Sequence, residues 1–76
     1  MRYQVELTDT FGGEANYAWV RRAEIEPKRG SRRSIMRAAK AAMGITGARG
    51  QLSDFGDSWD FRPSGACLVM FVYPLD

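Results

Sequence analysis

Residues 31–44 read SRRSIMRAAKAAMG, the one segment of the chain that reads clearly as a helix. Ala, Met, Arg and Lys dominate it, with no Gly, Pro or β-branched run between its ends, a composition that favours a helix. Ser31 suits the N-cap, where its hydroxyl can accept a hydrogen bond from an orphan N–H of the first turn. Gly44 suits the left-handed position just past the last turn. At helical spacing, Ile35, Ala38, Ala39, Ala42 and Met43 form an apolar face. Arg33, Arg37 and Lys40 form a basic stripe, which Arg29 joins only if the first turn starts early. One oily face and one cationic face predict a surface helix laid on a sheet.

Two alternating segments precede the helix. Tyr3, Val5 and Leu7 alternate with Arg2, Gln4, Glu6 and Thr8, as in a half-buried strand. The stretch 9–16, DTFGGEAN, reads as a loop in which Gly12 and Gly13 supply unusual backbone angles. A second strand is expected over 17–26, with Tyr17, Trp19, Ala23 and Ile25 sharing a face with Arg21. Pro27 ends it, because proline donates nothing to a ladder.

After the helix, residues 45–57, ITGARGQLSDFGD, show no period and read as a long connection; a short strand near Gln51–Phe55 is the one element it could hold. The last third reads as a hairpin, with Ser58–Arg62 and Ala66–Tyr73 flanking Pro63-Ser64-Gly65. That tripeptide fits a three-residue loop with a bulge. In this register Trp59 faces Val69 and Phe61 faces Cys67, and Trp59, Phe61, Val69, Phe71 and Tyr73 share one face. A two-residue Ser64-Gly65 turn would swap these partners, since a one-residue slip flips every side chain. The final strand is apolar on both faces, which predicts a central place in the sheet. The expected fold is α+β: a four-stranded antiparallel sheet with one helix on one face, in the order β-β-α-β-β, as one domain over residues 1–76.

Composition narrows the chemistry. Of 76 residues, 45% are apolar and 26% charged, which suits a folded domain and argues against disorder. No apolar run approaches the roughly 20 residues needed to span a bilayer, and the start, MRYQVELTD, is too polar and too regular for a signal peptide. The expected compartment is the cytoplasm, with no membrane partner. The sequence has no His and a single Cys, Cys67. That excludes an internal disulfide, zinc sites of the usual kind, and nucleophilic pairs built on histidine. Cys67 lies in an apolar run and is expected as a small buried hydrophobe. Asp54, Asp57 and Asp60 recur at steps of three, but Phe55 and Trp59 interrupt them and the spacing is not that of a calcium loop. No catalytic residue, metal or cofactor is expected.

The net charge of +2 is unevenly spread. Residues 21–40 hold eight basic and two acidic residues, a local +6, and residues 51–76 hold four acidic and one basic, a local −3. Arg29, Arg32, Arg33, Arg37 and Lys40 are therefore the candidate contacts to a polyanion, either nucleic acid or an acidic protein surface. The helix carries no Asn or Gln placed to read base edges. The second candidate surface is the sheet face away from the helix. Some of Trp59, Phe61, Val69, Phe71 and Tyr73 would lie there uncovered, as an interface to a protein partner or a second copy in a homodimer, unless residues 45–57 fold back and place Leu52 and Phe55 over them.

Residues 3–22, YQVELTDTFGGEANYAWVRR, resemble the opening of short orphan accessory proteins carried by plasmids, prophages and other bacterial mobile elements. The shared pattern is an alternating strand, then Asp9, Thr10, Gly12, Gly13, Glu14, Ala15 and Asn16 in a loop, then Tyr17, Trp19, Val20, Arg21 and Arg22 in a strand. The resemblance implies a genomic setting and no catalytic motif. Small proteins of such elements often act by binding, anti-CRISPR proteins among them. The expectation is a non-catalytic inhibitor that occupies a surface of a host defence nucleoprotein complex. The alternatives are a nucleic-acid-binding regulator using the basic helix face and an oligomeric structural protein.

Overall fold

Strand β1 (Tyr3–Asp9) alternates buried and half-buried residues, as its sequence requires, and pairs on both sides. The structure is a computed structural model that describes residues 1–10 and 19–75. β2 (Val20–Ile25) follows, then the helix α1 (Arg32–Ala42), then β3 (Gly50–Asp54), β4 (Trp59–Pro63) and β5 (Leu68–Pro74). All neighbouring strands are antiparallel, and the spatial order is β2-β1-β5-β4-β3. The expected four-stranded sheet in the order β-β-α-β-β is thus corrected to five strands in the order β-β-α-β-β-β, the addition being β3. The second strand begins later than expected. Tyr17 and the loop residues Gly12, Gly13, Glu14, Ala15 and Asn16 lie outside the described residues.

The helix ends follow from local chemistry. Ser31 is the N-cap, and its Oγ accepts from the Ser34 N–H at 3.2 Å. At the other end Gly44 takes φ +74°. The Ile45 N–H then reaches the Lys40 carbonyl and the Gly44 N–H reaches that of Ala41, the paired closure of a Schellman motif. Ile45, the residue after the glycine, packs against the core. A strand also contributes to this end: Arg21 of β2 donates from Nη1 to the Met43 carbonyl at 3.3 Å, placing a cation where the helix dipole is negative.

α1 lies on the sheet face formed by Tyr3, Val5 and Leu7 of β1, Ala23 and Ile25 of β2, Trp59 and Phe61 of β4, and Met70 and Val72 of β5. Ile35, Met36, Ala39 and Met43 complete this core from the helix. Met36 joins the buried face, whereas Ala42 is exposed. β5 stands in the middle of the sheet, as its two apolar faces require.

The β4–β5 register differs from the expected one. Trp59 faces Val72 and Phe61 faces Met70, three residues from the positions that a Pro63-Ser64-Gly65 loop would set. Pro63 belongs to β4, and residues 64–67 form the connection. Two backbone bonds hold it there, from the Ser64 N–H to the Arg49 carbonyl at 2.8 Å and from the Thr10 N–H to the Cys67 carbonyl at 2.9 Å. An odd shift exchanges the faces. Trp59 and Phe61 therefore share the helix side with Leu68, Met70 and Val72, while Val69, Phe71 and Tyr73 point the other way. The longer connection also carries Cys67 out of the strand, so the cysteine expected inside is exposed.

Candidate functional site

α1 and β3 lie side by side and run in opposite directions. Arg32, at the start of the helix, meets Asp54 at the end of β3. Lys40, near the helix end, meets the carbonyl of Ala48 just before β3 begins. Between them opens a groove of about 650 Å³. Arg32, Arg33, Arg37 and Lys40 line it, with Met36, Leu52 and the turn at Thr46 and Gly47. It is an apolar trough with four cations along one wall.

The four cations are not equivalent. Arg32 Nη1 donates to Asp54 Oδ2 at 3.0 Å, an exposed pair of the kind worth at most about 1 kcal/mol. The Gly56 N–H, at 2.8 Å from Asp54 Oδ1, and then Arg32 hold the Asp54 carboxyl below the usual carboxylate range. The buried indole N–H of Trp59 makes no hydrogen bond of good geometry, although it lies close enough to Asp54 to add to that lowering. Lys40 is half-buried. Its Nζ donates to the Ala48 carbonyl at 3.0 Å and sits 4.2 Å from the centre of the Phe61 ring, a cation–π contact. Arg33 and Arg37 are exposed, and among the described residues no carboxylate lies within ion-pair distance of either. They are the groove's available charges. Arg29 is exposed ahead of the helix, which starts only at Arg32, and it does not line the groove. The first turn of α1 contains no acidic residue.

β3 supplies Leu52 to the other wall. It is exposed along its whole length and ends the sheet. The Phe55 N–H bonds to the Ser58 carbonyl, and the Ser64 N–H to the Arg49 carbonyl. The alternation of an antiparallel ladder then turns the backbone groups of Gln51 and Ser53 towards β4 and those of Gly50, Leu52 and Asp54 outwards. Among the described residues nothing pairs with that outer edge. Sequence reading found the cations by their period. It missed the groove, because the second wall draws on a strand with no buried face.

The aromatic surface expected on the far side of the sheet is not assembled. Of Trp59, Phe61, Val69, Phe71 and Tyr73, the first two are buried beneath α1 and the other three lie on the opposite face. Val69 is fully buried and Phe71 half-buried. The Tyr73 hydroxyl donates to Glu6 Oε2 at 3.1 Å, and Arg22 Nε donates to the same oxygen at 3.1 Å, so polar contacts hold much of this face. Asp60 also belongs to it, and partial burial pushes its carboxyl up. Asp54 and Asp60 thus lie on opposite faces of the sheet. Among the described residues no group of three His, Cys, Asp or Glu side chains could hold a metal ion, and no helix is long and apolar enough to cross a membrane.

No family model, curated protein or solved structure matches the chain.

Proposed function

We propose that this is a non-catalytic binding protein that acts in the cytoplasm by laying the cationic wall of α1 against a polyanionic surface of its partner. The observation that carries the reading is the pair Arg33 and Arg37, exposed on one helix face beside an apolar trough and without ion-pair partners among the described residues. Charges so placed add little to folding and are available to a partner. The likeness of residues 3–22 to accessory proteins of mobile elements supports a host nucleoprotein complex as that partner, inhibited by occupation of its surface in the anti-CRISPR manner. Direct contact with nucleic acid through the same cations is the second reading, since phosphate contacts need no base-reading side chain.

The test is the double variant Arg33→Gln/Arg37→Gln, with Lys40 left in place because it holds Ala48 and covers Phe61. Tm should stay nearly unchanged, because exposed substitutions are usually within about 0.5 kcal/mol. The wild-type protein should recover a single nucleoprotein complex from host lysate, and the variant should not. Equal recovery by both would refute the assignment of this face. Retention of bare duplex or single strands by the wild type, lost in the variant, would establish the second reading.

A further inference from the structure

Leu52 of β3 lines the groove opposite the cations of α1, and the outer edge of the same strand is unpaired among the described residues, so together they define what shape of ligand fits. From this juxtaposition we infer that the partner docks as an extended acidic peptide segment, pairing with the β3 edge and presenting acidic side chains at every second position to Arg33 and Arg37. The inference rests on the groove being the working surface and names the element that enters it.

Three observations carry it. The outward N–H and C=O groups of Gly50, Leu52 and Asp54 are a ready-made template for one more strand, and strand addition at an exposed edge is a recurring mode of peptide capture. The spacing of the charges fits such a strand. Arg33 and Arg37 are four helical residues apart, about 6 Å of rise, and alternate residues of a strand are about 6.7 Å apart. α1 and β3 run alongside each other, tied at one end by Arg32–Asp54 and at the other by Lys40–Ala48, so both charges face the strand. The third observation is chemical. Alternate side chains of an added strand would lie on the Leu52 side of the sheet, above an apolar floor of Met36 and Leu52 and against a cationic wall. Carboxylates that reach Arg33 and Arg37 there would be partly desolvated, which strengthens charge-assisted hydrogen bonds. A duplex offers no peptide backbone to pair with the edge.

Fluorescence anisotropy with capped synthetic peptides tests this on the intact protein. One peptide carries glutamate at every second position with Thr and Val between. A second has the same composition with its glutamates in one block, and a third is the alternating peptide N-methylated on the amides of the edge-facing residues. The alternating peptide should bind at least about tenfold tighter than the other two, and Arg33→Gln/Arg37→Gln should abolish the difference. Leu52→Pro removes the outward N–H that strand addition needs while sparing the β3–β4 ladder, and it too should abolish the difference. A circular dichroism melt confirms that this variant is folded, and Leu52→N-methyl-leucine, placed by chemical ligation, makes the same test if it is not. Equal binding of all three peptides would overturn strand addition and leave the cationic groove standing. Binding of none, with duplex bound instead, would overturn it in favour of phosphate. If neither peptide nor nucleic acid is bound, the groove itself is rejected as the working surface.

Discussion

Phe61→Ala is expected to destabilise the protein by about 3–5 kcal/mol, the range for removing a fully packed aromatic ring. Phe61 is buried against Met70 in the sheet and lies under Lys40, so the substitution leaves a cavity and removes a cation–π contact together. A 76-residue domain has roughly 4–11 kcal/mol of stability in all, at about 0.05–0.15 kcal/mol per residue. The loss is therefore a large share of the total, and the variant should be partly unfolded at 37 °C. Phe71→Ala makes the comparison sharp, because it removes the same ring from a half-buried position on the opposite face of the same sheet. It should cost well under half as much. Urea titration of both variants measures the difference, and an equal or reversed ranking would restore the register in which Trp59 faces Val69.

Gly50→Ala should cost about 2–3 kcal/mol, a large effect for a single methyl group at an exposed residue. The reason is a close approach of backbones. A Cβ on Gly50 would fall on the carbonyl oxygen of Arg62 and lie 2.8 Å from both the Arg62 carbonyl carbon and the Pro63 Cα. None of these atoms belongs to a side chain that can swing away, so β3 must lift from β4. Amide hydrogen exchange should then accelerate at Gln51 and Ser53, whose N–H groups point into the β3–β4 ladder, while β1 and β5 keep their protection. Unchanged exchange at those two residues would show that the pairing tolerates the methyl group and that Gly50 is not needed where it stands.

These two residues also show what the sequence could and could not disclose. The helix was legible because its signals are local. Ser31, Gly44 and the apolar spacing each act within one or two turns; the two caps have their expected roles, and the apolar face differs only in burying Met36 and exposing Ala42. β3 was legible only as a short strand that the connection over residues 45–57 could hold. Strand patterns are written by burial of one face, and GQLSD buries neither. Its one constraint, the contact of Gly50 with β4, is long-range and leaves no periodic trace. The β4–β5 register was illegible for a related reason. LVMFVY is apolar at every position, so a slip of three residues violates no pattern, and the choice fell to a connection held by Arg49 and Thr10 from elsewhere in the chain. The error carried over to the surface, because the five residues expected to form one aromatic patch were divided by the same slip. Of the candidate site, the charges could be found by their period and the groove could not, since its other wall draws on β3.

The first turn of α1 carries Arg32 and Arg33 and no acid, so cations stand at the positive end of the helix dipole. Each such placement disfavours the helix by about 0.3–1 kcal/mol at low ionic strength, and Asp54 offsets it only for Arg32. At 0.1 M salt the Debye length is about 10 Å, short enough to screen this repulsion and equally the attraction of an acidic partner. Ionic strength should therefore pull folding and binding in opposite directions: added salt raises Tm slightly while it loosens the complex. A partner that brings carboxylates to Arg33 would relieve the same repulsion, so occupancy of the groove and integrity of the helix become one coupled equilibrium.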